Sequence, residues 1–177
     1  MPPINLNESR NTVSDSELRS LQSVALAMVV AVVGSAGITA YLSLVSGGTP
    51  LTREEVRLLN LLSLLHVVAA GVCYWLAGAL FARRLSPKEE DEGPVDPGTS
   101  FHRLRATIIL RLAMVEAPAW FGVVICLFAG IRGGLAHDPV YWLNFASTLV
   151  LVIFAVKTFP SRSRVEYLFN KMGGAPG

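Results

Sequence analysis

The sequence predicts an all-α polytopic membrane protein, a four-transmembrane-helix bundle forming a single membrane domain over its 177 residues. Three observations lead there. Apolar residues make up 52% of the chain and charged residues only 16%, against about 25% charged in an ordinary soluble domain. The charges are bunched, which leaves apolar stretches of roughly 18 residues or more, long enough to cross a bilayer as helix. Once those stretches are set aside no soluble domain remains, so any chemistry belongs in or at the membrane. The net charge of +2 and the lack of a continuous basic block argue against a nucleic-acid partner. The partner that the composition calls for is the lipid bilayer.

The elements follow in order. The first span covers residues 21–45, in a helix that starts near Ser16 with Ser14 or Ser16 as N-cap and stops at Gly47, Gly48 and Pro50. The polar residues 1–20 lack the short apolar core and cleavage site of a signal peptide, so this span reads as a retained anchor. The second span covers residues 58–81, in a helix that runs on to Arg83 and Arg84. It opens with Thr52-Arg-Glu-Glu55, a capping box in which threonine and glutamate, three residues apart, satisfy each other's free N–H groups. The third span covers residues 104–130, in a helix opening near Ser100, and the fourth covers residues 139–158 and is closed by Pro160. Residues 86–100 hold Pro87, Pro94, Pro97 and the run Lys88-Glu-Glu-Asp-Glu92. They read as a flexible cytoplasmic loop whose acidic cluster is a solvated linker. Residues 173–177 read as a disordered tail.

Orientation follows from positive charge. The tails and central loop carry Arg10, Arg19, Arg83, Arg84, Lys88, Arg103, Arg105, Arg111, Lys157, Arg162, Arg164 and Lys171, while the short hairpin loops carry Arg53, Arg57 and Arg132. Twelve against three puts both termini inside, with Tyr141 and Trp142 as ring anchors at the outer interface. An internal repeat is also visible. Leu26-Ala-Met-Val29 recurs as Leu112-Ala-Met-Val115 and Gly47-Gly48 as Gly133-Gly134, while Asn60 and Ser63 match Asn144 and Ser147. Two repeated hairpins would be related by an axis along the membrane normal.

Polar residues inside the spans are the candidate site. Glu116 stands about twelve residues beyond Leu104, near the bilayer centre, where an ionised carboxylate costs on the order of 3 kcal/mol even on a lenient scale. Arg111 lies about 7 Å along the axis and about 140° around the helix from it, poorly placed for a salt bridge. His66, on the antiparallel second helix, is the expected partner, with Asn60, Ser63 and Asn144 extending a polar track outward. Such a track is the raw material of a proton or cation path; equally, it can fix helix register. Pro118 frees the carbonyl of Met114 and marks a helix kink. Arg111 is expected to snorkel or to reach a carbonyl. Gly34, Gly37, Gly71 and Gly78 read as close-packing faces, and Cys73 and Cys126 as free buried thiols. His66, His102 and His137 lie at different depths and make no metal site. No nucleophile elbow, Walker loop, HExxH or CxxC occurs. The chain therefore reads as a protein without enzymatic activity or cofactor.

The run Arg105-Ala-Thr-Ile-Ile-Leu-Arg111-Leu-Ala-Met-Val-Glu116-Ala-Pro-Ala119, then Gly122, then Phe159-Pro160-Ser161 with Arg164, resembles a family of small uncharacterised bacterial four-helix membrane proteins. The resemblance covers residues 103–169 and implies a bacterial inner-membrane location with no set activity. Val115-Glu116-Ala117 with Trp120 and Gly122 is also similar to the proton-carrying helix of the rotary ATPase proteolipid c subunit. The chain departs from that pattern in its long central loop, in Pro118 and in a second helix without dense glycines. The small size, the absence of a catalytic motif and the glycine-lined faces point to an accessory or assembly subunit that associates with other membrane subunits or with itself; Glu116 with His66 points alternatively to a small proton- or cation-coupled transporter. A membrane-embedded enzyme is the remaining reading.

Overall fold

The computed structural model describes residues 14–45, 51–85 and 97–172. Its helices are α1 (Asp15–Val45), α2 (Arg53–Leu85), α3 (Pro97–Ile131), the short α4 (Gly134–His137), a 3₁₀ helix (Pro139–Phe145), α5 (Ala146–Thr158) and α6 (Arg162–Met172). Four segments are long and apolar enough to cross a membrane: Asp15–Val45, Arg53–Arg84, Phe101–Ile131 and Pro139–Thr158. The chain is a polytopic four-helix membrane bundle. Large apolar side chains such as Leu26, Ile38, Leu64, Val67 and Trp75 stand on its outer surface, as lipid requires of a spanning helix.

Local chemistry sets the helix starts. Ser14 and Glu17 form a reciprocal capping box, with the Glu17 N–H donating to Ser14 Oγ at 3.2 Å and the Ser14 N–H to Glu17 Oε2 at 3.2 Å. Thr52 and Glu55 do the same for α2, at 3.3 and 2.9 Å. An ion pair of 3.4 Å from Arg132 to Glu55 ties the start of α2 to the end of α3. α3 opens at Pro97 rather than Ser100, because proline's fixed φ and missing N–H suit the first helical turn. Of the expected loop 86–100, residues 97–100 are therefore helical; the remainder lies outside the described residues, as do the glycine-proline stop after α1 and the expected tail 173–177.

α3 is the centre of the bundle. It packs against α1, α2 and α5, whereas α1 and α2 do not pack along each other. Half of its apolar window is buried, against 17% for α1 and 11% for α2. This departs from two like hairpins. α3 and α5 pack together and α1 and α2 do not, and Leu112 is buried while its repeat match Leu26 is exposed.

The core has three layers. Leu18, Leu21, Phe101, Leu104, Val165 and Leu168 fill the end where α1 starts and α6 lies, here the tail end. Val32, Leu112, Val115, Ala119, Val123 and Leu151 fill the middle. Leu59, Ile125, Cys126, Ala129, Leu135 and Tyr141 fill the hairpin end. Burial moves Tyr141 from the expected outer interface into this last layer, where it is 1% exposed. α6 closes the tail end by setting Val165 and Leu168 into the first layer.

The glycines of α1 and α2 differ from expectation. A Cβ on Gly34, Gly37, Gly71 or Gly78 would meet nothing within 4 Å, so these glycines pack against none of the described residues. Close approach occurs on α3 instead, at Gly122 and Gly130. Gly133, with φ 77°, takes the left-handed conformation that turns α3 into α4. Cys73 and Cys126 are free thiols, only the second of them buried.

Candidate functional site

The fourth span begins as a 3₁₀ helix because Pro139 follows Asp138, whose carboxylate accepts from the Val140 N–H at 3.0 Å. The tight start turns Tyr141 and Asn144 inward, and both are buried. Asn144 is the hub of a polar network. Its Nδ2 donates to Ser63 Oγ and to the Tyr141 carbonyl, each at 3.0 Å, and its Oδ1 lies 2.9 Å from His66 Nδ1. His66 Nε2 lies 3.1 Å from Ser147 Oγ. The tautomer with a proton on Nδ1 satisfies both contacts, donating to Asn144 and accepting from Ser147. Tyr141 Oη donates to Asn60 Oδ1 at 3.1 Å, and Ser147 Oγ also lies 3.2 Å from the Pro118 carbonyl. The Phe121 ring meets the imidazole edge-on at 5.7 Å. The two Asn-x-x-Ser copies thus face each other across α2 and the fourth span.

Gly122 makes this approach possible. A Cβ there would stand 2.1 Å from the Asn144 carbonyl oxygen and 3.0 Å from His66 Cε1. Backbone meets backbone at this point, and the polar groups at the crossing are closed on one another. A network satisfied in this way fixes the rotation and register of its helices.

Glu116 is not part of it. Its Oε1 accepts from the Trp120 indole N–H at 2.9 Å, one turn along the same helix. The expected meeting with His66 fails on geometry. The imidazole sits beside Phe121 and Gly122, and six residues of helix separate Gly122 from Glu116 by about 9 Å and about 120° of rotation. Both ring nitrogens of His66 are engaged elsewhere. Among the described residues no Lys, Arg or His pairs with Glu116.

Glu116 lies instead beside an uncovered face of α3. Ala106, Leu110, Ala117, Trp120, Val124 and Ile131 are exposed there, at the three- and four-residue steps of one helix face. That stripe lies roughly 100° around the helix from Arg105 and Gly130, which meet α1, and from Thr107 and Met114, which meet α2. It therefore opens between the two helices that do not pack together.

Arg111 stands apart from both groups. Its guanidinium carbon lies 4.0 Å from the Phe81 ring centre and 5.0 Å from that of Phe154, a cation–π setting. Its Nε is buried without a hydrogen-bond partner, so the side chain neither snorkels free nor reaches a carbonyl through that atom. Pro118 sits within a continuous α3, and its carbonyl oxygen lies 3.2 Å from Ser147 Oγ.

Of the five side chains singled out from the sequence, the fold joins His66, Asn60 and Asn144 and leaves Glu116 and Arg111 separate. It adds Tyr141 and Ser147 to the network. Ser147 was legible as the repeat match of Ser63; Tyr141 carried no such signal, since a tyrosine near a span end reads first as an interface anchor. Among the described residues no three His, Cys, Asp or Glu side chains come together. No protein-family model, curated protein or solved structure matches this chain.

Proposed function

We propose that this protein is a non-enzymatic accessory or assembly subunit of a bacterial inner-membrane complex, with both termini in the cytoplasm, and that it holds a partner helix on the uncovered face of α3. One observation carries the reading: a mid-span carboxylate, Glu116, borders an exposed stripe of the helix that is otherwise central to the bundle. Lipid tails offer a carboxylate no donor, whereas a neighbouring helix bearing a hydroxyl, amide or cation does. The alanines of the stripe leave room for a close backbone. Gly34, Gly37, Gly71 and Gly78, open on the outer faces of α1 and α2, offer further close-packing surfaces. The positive residues at the tail end support the orientation.

A photo-crosslinking residue at Ala117 tests this in native membranes. The expected result is a crosslink to a second polypeptide, of this or another sequence, that is lost in Glu116→Leu. Crosslinks to lipid alone, together with a lone monomer in mild detergent, would sink the proposal.

The second reading is a proton- or cation-coupled transporter using Glu116. It is favoured by the half-buried carboxyl, whose hydrogen bond comes from Trp120. The closed His66 network supplies no continuation of such a path. In reconstituted vesicles, transport by Glu116→Gln equal to wild type would remove this reading. A membrane-embedded enzyme is the last reading: the Ser147 hydroxyl lies 3.1 Å from His66 Nε2, but both are buried within the closed network.

A further inference from the structure

Near the tail end a cavity of about 380 Å³ lies between α1, α3 and α5, bounded by Ala25, Val29, Ile108, Leu112 and Ala155 and reaching Pro160. Its size is in the range of small-molecule sites. Leu26, Val156 and Phe159 line it and are themselves exposed, so it opens sideways onto the lipid-facing surface between α1 and α5. Its walls are apolar except for Thr158, whose hydroxyl donates to the Phe154 carbonyl, and Arg111, whose guanidinium stacks on Phe81 and Phe154 and whose Nε has no partner among the described residues.

Among the described residues the positive charge at this cavity has no carboxylate partner. Arg164 donates to the Lys157 carbonyl, next to Thr158 of the lining. Among the described residues none of Arg111, Lys157 and Arg164 pairs with a carboxylate. Arg162 nearby does, with Asp15 at 2.8 Å and with Glu166 at 3.5 Å. The neighbourhood thus joins an apolar slot, open to the bilayer, to cations that no described carboxylate pairs.

We infer that this cavity binds one phospholipid with an anionic headgroup from the leaflet at the tail end. An acyl chain fills the slot, and the phosphate draws its hydrogen bonds from Arg111, with Arg164 adding charge. Guanidinium matches phosphate with a fork of two N–H donors. A zwitterionic headgroup brings its own cation toward Arg111 and Arg164, and a free phosphate leaves the apolar slot empty. The inference is independent of the docking face on α3, which lies between α1 and α2.

Native mass spectrometry of the full chain in mild detergent tests it, with equimolar dioleoyl phosphatidylglycerol and phosphatidylcholine. One bound lipid is expected, with the anionic species favoured about tenfold, or about 1.4 kcal/mol. Arg111→Met should abolish the preference. Ala155→Phe, which fills the slot and leaves Arg111 in place, should remove the bound lipid whatever its headgroup; it also decides the matter if Arg111→Met does not fold. Excess inorganic phosphate should not displace the lipid. Equal occupancy by the two lipids, a preference that survives Arg111→Met, full occupancy in Ala155→Phe, or displacement by phosphate alone each overturns the inference.

Discussion

Gly122 and Asn144 set a close crossing of α3 and the fourth span, and each can be changed singly. Gly122→Ala places a methyl group against the Asn144 carbonyl, so the fourth span must shift. Overpacking of this kind costs about 1–3 kcal/mol, read as a lower unfolding midpoint in a detergent titration. Gly34→Ala and Gly78→Ala place the same methyl in open space and should stay within about 0.5 kcal/mol of wild type. If all three variants behave alike, α3 and the fourth span do not meet as closely as described. Asn144→Ala strips partners from His66 and Ser63 together. Single interhelical hydrogen bonds in membranes are worth up to about 1.7 kcal/mol, so a loss of roughly 1–2 kcal/mol is expected. A variant as stable as wild type would show that other groups take over these bonds. Glu116, six residues from Gly122 on the same helix, faces elsewhere.

Among the elements, α6 is the one that spacing announced and a span-by-span reading passed over. Val165, Leu168 and Phe169 stand at the i, i+3, i+4 positions of an amphipathic helix, yet the helix has 11 residues and follows Pro160, where the last span ends. Its buried face joins Leu18 and Leu21 of α1 to Phe101 and Leu104 of α3. Each buried Val or Leu contributes about 1.5–3 kcal/mol, so Val165→Ser with Leu168→Ser should detach α6 without unfolding the spans. Hydrogen exchange is the measurement: protection should fall across residues 162–172 while the middle of α3 keeps its own. Loss of protection throughout would instead make α6 part of the cooperative core. The 3₁₀ opening of the fourth span was hidden in another way. Its residues are as apolar as those of an α-helix, and only the capping by Asp138 and the contact with α2 mark the tighter turn.

For the whole molecule, the alternation of four spans places positions 14 and 161 at one end and position 136 at the other. With Cys73 and Cys126 replaced by alanine, single cysteines in place of Ser14, Ser161 and Ala136 test the proposed orientation. In right-side-out vesicles an impermeant thiol reagent should label only the last of these, and disruption of the vesicles should expose the other two. Labelling of Ser14→Cys before disruption would invert the topology. The same bundle leaves α1 and α2 splayed around α3. A chain with so much of two spans uncovered relies on lipid, or on other helices, to cover them.

The number of spans, the Thr52–Glu55 capping box and the position of Glu116 within a span were legible in the sequence. Each rests on local chemistry: apolar length, residues three apart, and the cost of a carboxylate in hydrocarbon. Which helix became central, and which partner each polar group found, were decided by tertiary structure alone. Helices that are apolar nearly all round carry no stripe to reveal which face meets a neighbour, so sequence sets the depth of His66 and Glu116 and leaves their rotation open. A third of a turn then separates the two expected partners. Packing at Gly122 commits His66 to Asn144 and Ser147 and leaves Glu116 with Trp120 at the edge of the uncovered face.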